Sequence, residues 1–331
     1  MKAFDYHRAE TVDDAVGQAR RGARYYAGGT NLFDLMKRGV EDPGALVDIG
    51  SLPLDTVRST DSGGVLIGAL VSNSAVANHP LVRTSYPLLS QAILSGATAQ
   101  IRNMATVGGN LLQRTRCPYF MDPAFGACNK RVPGSGCAAR VGFNREHALF
   151  GASPHCVAVH PSDLAVALAA HDAVVHLHGP AGARALPIAE FFALPGERPE
   201  RDTTVAAGEL ITGVELPASP YGAHSWYLKV RDRHSYAFAL VSVAVGLHID
   251  DGVVTSAAVV LGGVAAIPWR VPAAEAELVG QAPGPHTFAA AARAAVTDAQ
   301  PLPQNGFKVT LAANSVVRAL TRAAGRSQLR S

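Results

Sequence analysis

Four residues that bind metals or electrophiles crowd into one part of the chain. Cys117, Cys128, Cys137 and Cys156 fall within one 40-residue window of 331 residues, and no cysteine lies elsewhere. Thiolates are nucleophiles and soft metal ligands, so the group could be disulfides, a zinc site, an iron–sulfur cluster or free thiols. The spacings are C-x10-C, C-x8-C and C-x18-C. Structural zinc favours C-x2–4-C knuckles, and none is present. Disulfides allow three pairings and suit short secreted scaffolds better than this chain. A cubane cluster needs four thiolates and tolerates varied loops. The same loop carries Arg114, Arg116, Lys130, Arg131, Arg140 and Arg145, which would offset the negative charge of a thiolate-bound cluster. Pro118 directly follows Cys117, a pairing found at cluster ligands. On spacing alone a cluster leads, with disulfide, zinc and free thiols still open.

Two glycine pairs precede the cysteines. Ala27-Gly-Gly-Thr-Asn-Leu32 joins an expected strand to an expected helix, and Thr106-Val-Gly-Gly-Asn110 repeats the chemistry. A diphosphate needs close backbone N–H donors, no Cβ in the way and the positive end of a helix. Gly28 and Gly29 meet the steric need, and Thr30 and Asn31 add side-chain donors. Two such turns suit an elongated ligand, although each alone reads as a tight turn. Neither is a G-x-G-x-x-G or Walker A loop. Asp163, in His160-Pro-Ser-Asp163, reads as a helix cap and as an acceptor for a ribityl or flavin-ring donor. Lys229 reads as a solvated strand residue or as the neutraliser of a reduced, anionic flavin. His176 and His178 share a strand face and could bind metal, but an exposed face explains them too. With no H-E-x-x-H, G-x-S-x-G or plausible Cys–His nucleophile pair, no general acid or base is assigned.

The elements that position these residues follow from pattern. Thr11-Val-Asp-Asp14 reads as a capping box opening a helix that stops at Gly22. Strands are expected at 24–27 and 45–49, with a helix between them whose apolar face is Leu32, Leu35 and Met36. A second region has a strand at 65–69, helices at 72–78 and 86–95, an apolar helix at 161–170, and strands at 173–178 and 209–216. Pro217-Ala-Ser-Pro220 reads as a linker. Beyond it come long strands at 225–230, 237–249 and 253–261, with Asp251-Gly252 as a hairpin turn, then helices near 272–280, 287–298 and 307–324. A sheet covered by helices on one face is expected there.

Composition narrows the class. The formal charge of +3 is small for this length and gives no reason to expect nucleic acid or an anionic membrane as partner. No run approaches the 18 apolar residues of a membrane span. Arg20-Arg21 has no apolar region after it, so no export signal is expected. The expected compartment is cytoplasmic, or periplasmic if a signal-bearing partner carries the chain across.

Taken together, Ala27–Leu32, Ile101–Asn110, Pro161–Asp163, Gly208-Glu-Leu-Ile211, Lys229 and the region from Gly222 onward resemble the FAD-binding medium subunit of the xanthine dehydrogenase family of molybdenum hydroxylases. The cysteine insertion resembles the bacterial aldehyde oxidoreductase branch, whose FAD subunit carries an additional [4Fe–4S] cluster. The resemblance implies an α+β fold: a two-subdomain FAD-binding domain of the PCMH/vanillyl-alcohol-oxidase type, plus a C-terminal domain like that of CO dehydrogenase flavoprotein. The expected boundaries are 1–56, 57–220 with the cluster loop at 114–158, and 221–331. The implied FAD contacts are Tyr26, Ala27, Gly28, Gly29, Thr30, Asn31, Leu32, Phe33, Thr106, Val107, Gly108, Gly109, Asn110, Asp163, Lys229 and, through its backbone, Ile211. The implied cluster ligands are Cys117, Cys128, Cys137 and Cys156. The implied partners are a large molybdenum-cofactor subunit, a small subunit with two [2Fe–2S] clusters and an external electron acceptor. A stand-alone FAD oxidase, a subunit acting on N-heterocycles and a non-enzymatic scaffold are the alternatives.

Overall fold

The structure, a computed structural model, describes residues 1–325. Three sheets form among the described residues. The first has parallel strands β1 (Asp5–Arg8), β2 (Arg24–Tyr26) and β3 (Ala45–Asp48) in the order β1-β3-β2. Parallel neighbours need crossovers, supplied by α1 (Val12–Arg20) and α2 (Leu32–Lys37). The Thr11 hydroxyl caps α1 by accepting from the Asp14 N–H at 3.0 Å. The Asp14 carboxylate accepts from Glu10 N–H rather than closing the expected box on Thr11. Strand β1 escaped the pattern reading because all four residues are exposed and nothing alternates.

The second sheet is antiparallel, in the order β4-β5-β8-β6-β7. Its strands are β4 (Val57–Ser59), β5 (Val65–Gly68), β6 (Val174–Gly179), β7 (Gly182–Pro187) and β8 (Leu210–Leu216). Between β5 and β6 lie α3 (Asn73–Asn78), α4 (Pro80–Ser85), α5 (Pro87–Ser95), α6 (Ala99–Met104), α7 (Val107–Leu111), α8 (Pro118–Met121) and α9 (Asp163–Ala170). The second glycine stretch therefore opens a helix, α7, with Thr106 as its cap. Ser162, not Asp163, caps α9: its Oγ accepts from Ala165 N–H at 2.9 Å. Asp163 becomes the first helical residue, and its carboxylate is released to point elsewhere.

After α10 (Ile188–Phe191), the third sheet is an antiparallel run of β9 (His224–Val230), β10 (Val241–Asp250), β11 (Val253–Gly262) and β12 (Trp269–Arg270). Asp251 and Gly252 both have positive φ, 46° and 78°, as a two-residue hairpin of this twist requires. Strand β10 starts later than the sequence implies, because residues 231–240 leave the sheet to line the cleft described below. Helices α11 (Pro272–Leu278), α12 (Pro285–Ala294) and α13 (Phe307–Ala324) cover one face, where Val243, Val245 and Leu261 cluster with Ala312, Val316 and Ala319. The other face is not open, as a one-sided cover would leave it. Tyr227, Ala244, Ala258 and Val260 cluster there with Leu89, Ala92 and Val166 of α5 and α9. Burial on both faces is why Val241 to Leu247 is an unbroken buried run. No helix among the described residues is long and apolar enough to cross a membrane.

Candidate functional site

The two glycine turns lean on each other. A Cβ at Gly28 would stand 1.8 Å from the Met104 carbonyl oxygen, so this glycine permits the two turns to touch. Gly29 has φ +67° and abuts the rings of Tyr26 and Phe33, which stack on each other at 4.8 Å. A Cβ on Gly108 would press on Ala69 at 3.2 Å and Ile211 at 3.7 Å, so its absence lets α7 settle on the sheet. Gly109 is different: it is exposed, and a Cβ there would meet only Thr106 Oγ1 at 3.1 Å.

Gly109 faces a cleft of about 680 Å³, within the usual range for ligand sites. The cleft brings together Thr30, Asn31, Gly109, Asn110, Asp163 and Lys229 from the expected set. It does not include Tyr26, Ala27, Gly28, Gly29, Leu32, Phe33, Thr106, Val107, Gly108 or Ile211, which build the supporting walls. Ile211 is 2% exposed on β8, with its side chain packed beneath Gly108. Asn110 Oδ1 accepts from Ser162 Oγ at 2.6 Å and Gln113 Nε2 at 2.9 Å, and Asn31 Oδ1 accepts from the Arg114 backbone N–H at 3.1 Å.

At the inner end, Lys229 Nζ donates to Asp163 Oδ2 at 2.7 Å and Tyr227 OH donates to Oδ1 at 2.7 Å. Alternation along β9 puts Tyr227 and Lys229 on one face, while Trp226 and Leu228 join the opposite cluster. The ion-paired side chains are 4% and 9% exposed. Burial, then the Asp163 charge, pushes the Tyr227 phenol well above its ordinary pKa. Lys229 is therefore neither solvated nor a free cation; its charge is balanced within the protein. His176 and His178 pair with Glu215 at 2.9 Å and Asp13 at 2.8 Å, which removes the metal reading for them.

The four cysteines line one small cavity beside this cleft. None of the four is paired in a disulfide. An isolated antiparallel bridge pairs Cys128 with Cys137, and Asn129 ties that segment to Gly136 and to the His155 carbonyl. Phe120, Met121 and Cys128 pack on Leu35 of α2, so the loop sits behind the first glycine turn. Burial pushes the Cys117 thiol up to about 12 and raises Cys156 as well, so without a cation these groups stay protonated. No three His, Cys, Asp or Glu among the described residues close around a single ion. The loop's basic residues chiefly stitch it down. Arg114 pairs with Glu41 and Asp202, Arg116 with Asp34, Lys130 with Asp202 and Arg145 with Asp232, while Arg131 and Arg140 donate to backbone carbonyls. The Lys130 charge works against the rise at Cys156. Cys117 is the one cysteine that also lines a second cavity, which reaches Asp163.

Comparison with known proteins places the chain in a family. Residues 2–219 match the FAD binding domain in molybdopterin dehydrogenase. The chain belongs to this FAD-binding family. Residues 193–323 match the CO dehydrogenase flavoprotein C-terminal domain. The aldehyde oxidoreductase FAD-binding subunit PaoB of Escherichia coli is 49% identical over 328 residues, covering 98% of this chain and 99% of that one. The carbon monoxide dehydrogenase medium chain of Hydrogenophaga pseudoflava is 28% identical over 97% of this chain and 96% of that one. Reconstituted CO dehydrogenase from Oligotropha carboxidovorans has a chain of the same fold, with a TM-score of 0.77 at 25% identity, covering 98% of this chain and 99% of that one. The relatives are oxidoreductases, and the α+β class expected from sequence is theirs.

The cleft fits FAD on its own features. Asn31 Nδ2 and Asn73 Oδ1 are buried without a hydrogen-bond partner, and both residues line the cleft. A buried amide left unpaired costs about 1–3 kcal/mol. A ligand offering both acceptors and donors along its length, as FAD does, would satisfy both. Asn73 is 3% exposed and was not found from sequence, where Ser72-Asn73 reads only as a helix start.

Proposed function

We propose that this FAD-binding chain is the electron-transfer subunit of a molybdenum-dependent aldehyde oxidoreductase of three kinds of subunit. In this reading a large subunit carries the molybdenum cofactor and a small one carries two [2Fe–2S] clusters. FAD lies along the cleft, and a [4Fe–4S] cluster is held by Cys117, Cys128, Cys137 and Cys156. The carrying observation is that the four cysteines of one 40-residue stretch line one cavity, and that one of them, Cys117, also lines the cavity reaching Asp163. Similarity along nearly the whole chain to an aldehyde oxidoreductase FAD subunit supports the substrate class.

When bound, FAD and thiolate-held iron supply the electron-exchange chemistry that the side chains lack. The chain's own residues bind and orient. Asn31 and Asn73 offer an amide donor and an acceptor to the ligand. Gly109 leaves backbone accessible, and Asn110, fixed by Ser162 and Gln113, lines the same stretch. Asp163 and Lys229 present a polar but internally neutral end to the flavin ring, so Lys229 strengthens its bond to any anion there only by loosening from Asp163. Tyr26, Phe33, Thr106 and Gly108 set the shape of the turns. The test is purification from the native host, with iron, molybdenum and flavin quantified per complex. Stoichiometric flavin, and four irons in the isolated chain, are expected; zinc without iron would sink the cluster, and turnover of an aldehyde by the chain alone would sink the subunit role.

A further inference from the structure

We propose that His147 is a positioning residue: it donates an N–H···S hydrogen bond to the Cys117 sulfur, on the side of the four-cysteine centre that faces the flavin cleft. This rests on the reading that the four thiols hold one iron–sulfur group. Among the described residues, His147 is the side chain within hydrogen-bond distance of a cysteine sulfur, with Nε2 3.2 Å from Cys117 Sγ. Its ring is 3% exposed and tilts toward Tyr119 at 6.5 Å. A neutral imidazole carries one proton, on either ring nitrogen. Nδ1 has no hydrogen-bond partner, so placing that proton on Nε2 forfeits nothing at the other nitrogen. A metal-bound sulfur carries no proton of its own. A contact at this distance is then attractive only if Nε2 is the donor.

The backbone around His147 is anchored more firmly than a surface loop requires. Its carbonyl accepts from Asn305 Nδ2 at 3.0 Å and from Lys308 Nζ at 2.9 Å, and both of those residues are fully buried. Lys308 also donates to Gly263 O at 2.7 Å and Glu146 O at 3.3 Å. Burying a lysine is expensive unless its protons are satisfied; here they are satisfied on the segment that carries this histidine. The C-terminal helix thereby fixes where the imidazole stands. The location is specific too: His147 and Cys117 both line the cavity that extends to Asp163, and none of the other three cysteines does. Hydrogen bonds to ligand sulfurs tune iron–sulfur potentials, because they favour the more negative, reduced form.

The test is an EPR-monitored redox titration of the full iron-loaded chain, comparing wild type with His147→Leu, His147→Gln and His147→Asn. Leu should move the centre's one-electron equilibrium roughly tenfold toward the oxidised form, about 59 mV, and alter its EPR line shape. Gln, whose amide nitrogen reaches the place of Nε2, should restore both; Asn, which is too short, should not. Wild-type potential and line shape in the Leu variant would overturn the assignment. If Leu fails to assemble iron, Gln decides: a wild-type centre supports the hydrogen bond, while a shifted or missing centre overturns it. A wild-type chain without iron is a separate outcome, seen before any variant is made. It would remove the four-thiolate reading and this proposal with it.

Discussion

Replacing Gly28 with alanine separates two explanations of the first glycine turn. If glycine serves the ligand, Gly28→Ala should weaken FAD binding and leave the empty protein intact. The geometry says otherwise. The new Cβ would lie 1.8 Å from Met104 O and 2.7 Å from its carbonyl carbon, where real contacts do not fall below 3.0 Å. The turns must therefore part by roughly 1.2 Å, the difference between 3.0 and 1.8. The second turn cannot easily yield. Ala105 O accepts from Asn73 N–H at 2.8 Å, Ala105 N–H donates to Ile101 O at 2.8 Å, and Val107 and Gly108 N–H donate to Val71 and Ala69 O at 3.1 and 2.9 Å. Overpacking costs about 1–3 kcal/mol, and one lost backbone hydrogen bond adds about 0.5–1.5 kcal/mol. The flavin-free Gly28→Ala chain should thus lose roughly 2–4 kcal/mol in urea unfolding. Gly109→Ala, which meets only Thr106 Oγ1, should keep wild-type stability and lose FAD affinity in a fluorescence titration. Wild-type stability in flavin-free Gly28→Ala would refute the reasoning and return this glycine to the ligand.

Other perturbations have defined outcomes. Asp163→Asn strands a buried lysine and should cost about 3–5 kcal/mol in denaturant unfolding, most of it recovered by adding Lys229→Met; an undisturbed single variant would mean the pair is solvated. His171 is buried against Tyr86, and burial pushes its pKa down to about 4. Its folded pKa lies below the unfolded value of 6.5, so the unfolded chain binds the extra proton between them. Its contribution is full above pH 6.5 and falls by up to about 3 kcal/mol as pH drops to 4. His171→Phe should flatten the stability loss measured across that window, and an unchanged acid slope would count against the assignment. Cys128→Ser should lose iron while keeping much of the flavin; unchanged iron content would contradict the ligand set.

Local signals carried the sequence reading a long way. Glycine pairs, hydroxyl caps and apolar runs marked the strands and helices that frame the cleft, and Thr30, Asn31, Gly109, Asn110, Asp163 and Lys229 do face it. What stayed hidden depends on contacts distant in sequence. Nothing local to Gly28 points to its contact with Met104. Asp163 looked like a cap because Ser162 and Asp163 are equally good cap residues, and only the salt bridge to β9 tells them apart. Asn73 and His147 have no motif, since each acquires its surroundings from other elements. Residues 237–240 are apolar enough to read as strand, yet they peel away to line the cleft.

The third sheet has a consequence for how this protein can move. Its inner face is finished by α5 and α9, which belong to the segment before the 217–220 connection, so a cut at that connection would lay bare Tyr227, Ala244, Ala258 and Val260. The cleft is walled by Leu164 on one side of the cut and Lys229 on the other, and both walls grow from that shared interior. Those two walls cannot part without opening that core. The 231–240 segment, by contrast, leaves the sheet between β9 and β10 to line the rim of the cleft.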